Sequence, residues 1–457
     1  MKKVLMITYD FPPMRTSGVY RPVKFVKYLK NYGWQATVLT VKNPHRVAED
    51  EDLLKEVPPE CKIYRAYSLE PTKLEDRIYQ KIYSTPRKKK PQLAGVKNLV
   101  KSLFLSPLNA FVHNWIYIPD TKIGWFPFAL AKALKLIERE NFDVIYTTSS
   151  PHTCQLVGLS IKLLTQKPWV VDLRDNWVVG YGELYRYKLR VKIEEYLLKR
   201  ILAKADSVIT MCEGNAKDLI ERFDFKDGFK YHAITNGYDR DDWEGLGRVF
   251  DPSADQKFVL THVGTLYAKT SGEFFSAVSE LLEEKKELKE VLQVNLIGYV
   301  GDEDLSLIRR LGLEKNVRLL GFQVHPEAIE SMLNSNVLLL FLGEIRTSQQ
   351  QFPGKFFEYL LAKKPILTLG KEGEIAQALH KSGAGLLVHP RDKEKIKKAI
   401  YDLFIRNKRK ELTISPDLEY IQRFDYKNLT LRFAQVLDKA CSEHVLSCPV
   451  IGTSFVS

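Results

Sequence analysis

Three stretches of this sequence bring together residue types suited to an anionic, hydroxyl-bearing ligand. In QFPGKFFEYL, Lys355 and Glu358 stand one helical turn apart. A helix starting at Pro353 would let Gly354 present free backbone N–H groups, the usual anion site. Lys355 would add positive charge there, and Glu358 would face the same ligand. The same letters also read as an ordinary amphipathic helix. Proline is tolerated at a helix start, Phe357, Leu360 and Leu361 form a stripe at helical spacing, and Glu358 points outward. In HVGTLYAK, Gly264 and Thr265 close a strand, where a glycine lets backbone N–H groups reach a phosphate. In VVDLRDNW, Asp172, Arg174 and Asp175 cluster at a strand end. Carboxylate and guanidinium there can hold ligand hydroxyls or form a structural ion pair.

Other chemistry-bearing residues carry weaker signals. His152 in TSSPHT follows a strand and is either a ligand contact or a histidine satisfied within the fold. Glu213, in EGN, follows another strand end, and Asn236 and Gly237 read as a turn. Strings of the DxD type occur at Asp239 and Asp302, but chance supplies such pairs in so charged a chain, and no metal site is read from them. The five cysteines are scattered and odd in number, without a CxxC pair or a His/Cys cluster. A reducing, cytoplasmic setting is expected.

The elements that must position these residues are legible as alternation. Apolar strand-like runs alternate with amphipathic helices, the pattern of a parallel α/β sheet. Val4–Thr8 begins it, and Val23, Val26 and Leu29 mark the first helix, with Gly33 as its C-terminal cap. Strands are expected in QATVLTV and over Asp143–Ser149, Pro168–Asp175, Ser207–Met211 and Tyr231–Asp239. Leu189, Ile193, Leu197 and Ile201 recur every four residues in a long helix. After the polar stretch GLGRVFDPSADQ the alternation restarts with Phe258–Gly264, Val294–Gly298, Val317–Gly321, Val337–Leu342, Pro365–Gly370 and Gly385–Val388. The expected layout is a domain over residues 1–245, a linker over 246–256, a second domain over 257–412, closing helices over 413–446 that cross back to the first domain, and a loose tail over 447–457. Ligands of doubly wound sheets bind at the carboxyl ends of the strands, so two facing domains would share a cleft.

Composition narrows the partners. A chain of 457 residues with 45% hydrophobic and 11% aromatic residues is globular, with room for two or three cores. Its formal charge of +13 implies an anionic partner: nucleic acid, an acidic membrane or a phosphorylated substrate. No recognition-helix or RNA-binding aromatic signature is present, which argues against nucleic acid. The start, MKKVLMITYD, has an apolar run too short for a signal peptide, and no run of 18 apolar residues exists to span a membrane. Residues 86–120 break the alternation. There a basic cluster, Arg87 to Lys90, precedes an apolar stretch, which reads as a solvated loop leading to a helix, an element resting on an anionic membrane surface or a nucleic-acid-binding segment.

Taken in order, the blocks HVGTLYAKTSGEFF, LIGYVGDED through GFQVHPE, FPGKFFEYLLAKKPIL and SGAGLLVHPRDKEK resemble the donor domain of glycosyltransferase family 4. The first half agrees, through YDFPPMRTSG, VVDLRDNW and ITNGYD. The resemblance implies a GT-B fold, two facing Rossmann-like domains of α/β class. It also implies transfer of a sugar, with retention, from a nucleotide diphosphate-sugar to a hydroxyl acceptor, with no cofactor. Glu358 matches the second of the family's two glutamates, which bonds the ribose hydroxyls, whereas Gln350 stands where the first would be. The resemblance assigns Lys355, Lys269 and Arg346 to the diphosphate. Lys269 is the only cation near Gly264, where the family commonly has an Arg/Lys pair. It also places Gly18, Gly264, Thr265, Gly298 and Gly354 toward the donor. The family's histidine is absent from the strand of Asp172, so Asp172 or Asp175, with Arg174, is expected to take its catalytic place beside Lys269 and Lys355, and Arg21, His152 and Glu213 are the expected acceptor contacts. The positive charge and the 86–120 insert point to a lipid-linked saccharide or surface polysaccharide precursor as the expected acceptor, at the cytoplasmic face of a membrane. Two rival readings are a degenerate nucleotide-binding protein of the same fold and a nucleotide-sugar 2-epimerase.

Overall fold

The computed structural model describes residues 1–44, 49–69, 115–175, 177–178, 188–225, 228–246, 257–266, 268–343 and 352–447. The chain forms two compact units, Met1–Ile234 with Thr430–Ser457, and Thr235–Leu429. The expected contacts at Arg346 and Gln350 fall outside the described residues, as do most of the 86–120 insert, nearly all of the linker and the tail.

The first unit is built on strands β1 (Lys2–Ile7), β2 (Trp34–Val41), β3 (Lys62–Ala66), β4 (Val144–Ser149), β5 (Trp169–Leu173), β6 (Ser207–Thr210) and β7 (Tyr231–Ala233). They pair in parallel in the order β3-β2-β1-β4-β5-β6-β7. Near-continuous apolar runs such as VLMI suit strands covered on both faces, and β4, β5 and β6 are buried throughout. Helices α1 (Tyr20–Leu29), α2 (Phe126–Arg139), α3 (Thr153–Thr165), α4 (Lys188–Lys204) and α5 (Glu213–Phe223) connect them. The expected cap at Gly33 is present, with φ +81° after a short 3-10 turn.

Two expectations are corrected here. The strand read over Tyr231–Asp239 stops at Ala233. Of the Leu189 series on α4 only Ile201 is fully buried: Leu189 is exposed, Ile193 and Leu197 are half-buried, and Arg190, Glu194, Leu198 and Leu202 join Ile201 on the buried face. The polar members of that face are tolerable because Arg190 Nε lies 2.8 Å from Glu194 Oε1 and the two charges neutralise each other.

In the second unit, β8 (Phe258–Val263), β9 (Leu292–Ile297), β10 (Val317–Gly321), β11 (Val337–Phe341), β12 (Ile366–Leu369) and β13 (Gly385–Val388) form a parallel sheet ordered β10-β9-β8-β11-β12-β13. Helices α6 (Ala268–Glu284), α7 (Asp302–Arg310), α8 (His325–Leu333), α9 (Gly354–Ala362), α10 (Glu374–Ser382), α11 (Lys393–Lys408) and α12 (Leu418–Gln422) complete it. Phe258, Phe274, Phe275, Val294, Leu339 and Ile400 belong to one apolar core between sheet and helices. Residues 235–245 pack with this unit rather than with the first. The Tyr238 N–H donates to the Phe424 carbonyl at 3.0 Å, and the Tyr426 N–H returns a bond to Tyr238 at 2.9 Å. The last helix, α13 (Tyr426–Ser447), belongs to the first unit from Thr430 onward. There Phe433 stacks on Phe25 at 4.5 Å and Asp438 pairs with Lys2 at 2.7 Å. Among the described residues no helix is long and apolar enough to cross a membrane.

Candidate active site

Each sheet reverses strand order once, between β1 and β4 in the first unit and between β8 and β11 in the second. Loops leaving neighbouring strands diverge at such a point and open a crevice at the carboxyl ends. Several of the residues singled out above lie at these two places, and each is described within its own unit.

At the β1/β4 point, Arg174 ties three loops together. Its Nη1 donates to the Gly18 carbonyl at 2.8 Å and its Nη2 to the Ser150 carbonyl at 2.9 Å, while Asp10 Oδ2 and Asp175 Oδ2 lie 3.8 Å from the guanidinium. A side chain at position 18 would collide with this arrangement, because a Cβ there falls 2.1 Å from Asp10 Oδ2. Burial raises the Asp10 carboxyl above its usual range, against the opposing pull of Arg174. Beside them the His152 ring stacks on Trp177, with centroids 4.5 Å apart and planes 6° from parallel. Burial moves His152 down to about 4, with Asp120 opposing and Arg174 reinforcing the shift. The ring is therefore neutral near pH 7 and able to exchange a hydrogen bond with a hydroxyl. Its buried Nδ1 has no hydrogen-bond partner among the described residues. Trp177 is anchored in turn, its indole N–H donating to Glu194 at 3.2 Å.

Two members of the expected set are withdrawn from ligand contact. Asp172 and Arg21 are fully buried and satisfy each other in a bidentate pair, at 2.8 Å from Nε and 3.1 Å from Nη2. Asp172 also accepts from the Tyr146 hydroxyl and from Thr148, at 3.0 Å for the latter, while Arg21 donates to the Ile234 carbonyl at 3.0 Å. These partners use the polar atoms that a substrate would need, so the pair locks α1 to the strand ends instead. Glu213 is exposed at the first residue of α5, beyond β6 and away from the β1/β4 point.

In the second unit, the carboxylate of Glu358 is held at both oxygens. Lys355 Nζ lies 2.8 Å from Oε2 and His325 Nε2 lies 3.3 Å from Oε1, while Nδ1 of that histidine stands 3.9 Å from Asp242. Burial alone would raise the Glu358 carboxyl, but the Lys355 charge and the His325 contact outweigh it and hold the group at about 2. Glu358 is thus a permanent carboxylate of which only 17% is exposed. A carboxylate offers about four lone-pair sites, so two acceptor directions remain for paired hydroxyls after these contacts. Lys355 does not stand alone as a phosphate cation, because its ammonium is engaged with Glu358.

The glycines at the neighbouring strand ends approach each other closely. Gly298 has φ +114°, and a Cβ on it would fall 2.4 Å from the Gly264 carbonyl oxygen, so only glycine fits. The Gly264 N–H donates to Ile297 at 2.8 Å, and Thr265 is exposed in the loop before α6. Lys269 lies in the first turn of α6. Gly354 is exposed at the start of α9, where a Cβ would meet open space, so steric need does not explain this glycine. Sequence reasoning missed His325, Trp177, Asp10 and Tyr359. The signals were faint: His325 lies 33 positions from Glu358, and only folding juxtaposes them.

Two family models match the chain: Glycosyltransferase Family 4 over residues 23–242 and Glycosyl transferases group 1 over residues 257–405. The chain belongs to glycosyltransferase family 4. Among curated relatives, an N-acetylgalactosamine-N,N'-diacetylbacillosaminyl-diphospho-undecaprenol 4-alpha-N-acetylgalactosaminyltransferase of Campylobacter jejuni is 32% identical over 140 residues. That match spans 29% of this chain and 35% of the relative. Among solved structures, the sucrose-phosphate synthase of Thermosynechococcus elongatus aligns with a TM-score of 0.63 at 15% identity, over 97% of this chain and all of that one. Anabaena HepE, determined in complex with UDP and with UDP-glucose, aligns with a TM-score of 0.61 at 17% identity, over 96% of this chain and all of that one. These likenesses establish the two-domain GT-B fold expected from the sequence.

Proposed function

We propose that this transferase moves a sugar, with retention of configuration, from a nucleotide diphosphate-sugar to a hydroxyl of a lipid-linked saccharide or a surface polysaccharide precursor. One observation carries the reading: the permanently charged, largely enclosed carboxylate of Glu358 beside the β8/β11 switch point, with acceptor capacity left for two neighbouring hydroxyls such as those of a ribose. The loop of Gly264 and Thr265, closed from behind by Gly298, receives the diphosphate, with Lys355, Lys269 and Arg346 supplying charge and Gln350 and Gly354 flanking the sugar. In the first unit, neutral His152 contacts the acceptor, while Arg174, Gly18 and Asp175 shape its seat. The bond between the sugar and the phosphate oxygen breaks, the acceptor oxygen bonds the same face of that carbon, and its proton passes to the departing phosphate oxygen. The protein contributes position and electrostatic stabilisation of the leaving diphosphate. No cofactor enters this scheme.

The Campylobacter relative, whose name specifies a diphospho-undecaprenol acceptor, supports the lipid-linked part. So does the formal charge of +13, which favours an anionic cytoplasmic membrane surface, with residues 86–120 as the contact. The test is a panel of nucleotide-sugars screened for a rise in melting temperature, followed by release of the nucleoside diphosphate with and without a polyprenyl-diphosphate saccharide. At least one donor should stabilise the parent and none the Glu358→Ala variant. Equal stabilisation of both proteins would defeat the assignment of Glu358, and acceptor-independent release would defeat transfer.

A further inference from the structure

The β8–β11 ladder is short. Its paired residues are Val337 with Leu260 and Leu338 with Thr261, and the pairing stops before the strand ends. Beyond that point the next groups of the two strands are bridged by a side chain from a helix. The Tyr359 hydroxyl accepts from the Val263 N–H at 2.8 Å and donates to the Leu339 carbonyl at 3.3 Å. That carbonyl also receives the Nδ1–H of His262 at 3.0 Å. Tyr359 is completely buried, so its hydroxyl satisfies two backbone groups that water cannot reach.

What makes this contact more than a core hydrogen bond is where its two ends lie in the chain. Tyr359 follows Glu358 directly on α9, and Val263 directly precedes Gly264 at the end of β8. A single phenol oxygen therefore joins the helix that carries the ribose-binding carboxylate to the strand end that carries the diphosphate loop. The same oxygen sits where the strands part, so it also props open the switch point between them. The geometry points to Tyr359 as a positioning residue that fixes the separation of the two halves of the donor site. This inference rests on the nucleotide-sugar reading given above. Ribose and diphosphate are joined covalently in the ligand, so their receptors must stand at one spacing, and a shift of an ångström at either end costs binding.

The test compares the parent with Tyr359→Phe, which keeps the ring and removes only the oxygen, and with a core variant such as Phe274→Leu, chosen to lower the melting temperature by a similar amount without touching α9. Hydrogen exchange without ligand should show faster exchange at Val263 and through α9 in Tyr359→Phe alone. Affinity for UDP or GDP, whichever the parent binds, should fall about tenfold in Tyr359→Phe and stay at the parental value in the core variant. Parental exchange at both segments, or parental affinity in Tyr359→Phe, would overturn the inference, as would an equal loss of affinity in the core variant. If the parent binds neither diphosphate, it is the donor reading that fails, and the exchange measurement alone decides whether Tyr359 couples the two segments.

Discussion

Arg174 donates a 2.8 Å hydrogen bond to the carbonyl oxygen of Gly18, across 156 positions of sequence, and this contact fixes the loop after β1 against the loop after β5. The fit leaves no room for a side chain. A methyl group at position 18 would fall 2.1 Å from Asp10 Oδ2 and 2.8 Å from both terminal nitrogens of Arg174. Gly18→Ala must therefore move the guanidinium or the loop, at a cost of about 1–3 kcal/mol. The expected outcome is a fall in transfer rate of roughly a hundredfold, since misplaced groups lose rate steeply, with only a small drop in melting temperature. Product formation and thermal unfolding measured on the same sample check it, and full activity in the variant would show the loop to be dispensable.

The Arg21–Asp172 pair calls for the opposite result. Both side chains are buried, and Asp172→Asn leaves a guanidinium without its counter-charge in the interior of the first unit. Loss of one partner of such a pair costs about 3–5 kcal/mol. Asp175, with 41% of its side chain exposed, should tolerate the same change within about 0.5 kcal/mol. Denaturant titration of the two variants separates them. Equal stability would mean that Asp172 has a role beyond packing.

Why the sequence blurred these two aspartates, yet revealed the sheets, has a physical reason. Parallel strands covered on both faces must be continuously apolar, so VLMI and VLLLF announce themselves by composition alone. A glycine such as Gly298 marks a backbone contact that needs the missing Cβ, and that too shows in the letters. Which of Asp172 and Asp175 turns inward depends on the strand pleat and on whether a cation from α1 arrives to meet it. Arg21 is 151 positions away from Asp172, and no local pattern encodes their encounter. The shift of the buried face of α4 has the same cause. Arg190 and Glu194 look solvent-facing by type, but they can be buried because each supplies the other's counter-charge and Glu194 also holds Trp177. His325 escaped notice as well, because its role exists only beside Glu358.

His152 should report its burial directly. Its ordinary value is 6.5, and the folded state holds it at about 4, so the folded protein resists a proton that the unfolded chain accepts. Stability linked to this ring is present above pH 6.5 and is lost as pH falls from there toward 4. A histidine Cε1–H resonance that titrates near 4 in the parent and is missing from His152→Gln is the expected signature. The variant should also lose part of the parent's destabilisation between pH 6.5 and 4. A resonance titrating near 6.5 would place the ring in open solvent instead.

Glu358 gives the sharpest pH test because its shift has the other sign relative to its working form. The group is held at about 2 against an ordinary 4.5, so folding favours its charged state. Stability from this carboxylate is fully present above pH 4.5 and is lost as pH falls through the interval down to about 2, an effect of up to about 3 kcal/mol. Glu358→Gln removes the charge while keeping the shape, and it leaves Lys355 and His325 without their shared anion and with one acceptor oxygen between them. The stability gap between parent and variant should therefore be widest near pH 6 and close steadily between pH 4.5 and 2. Nucleotide affinity should follow a different course. Between pH 5 and 8 the parent's carboxylate stays charged, so its affinity shows no step from this group, while Glu358→Gln binds about 10–100-fold more weakly, the worth of hydrogen bonds to a charged acceptor. Calorimetric titration at pH 5, 6.5 and 8 decides the matter. A parent whose affinity tracks a carboxyl titrating near 4.5, or a variant that binds as the parent does, would mean that the contacts with Lys355 and His325 stabilise α9 and have no part in ligand recognition.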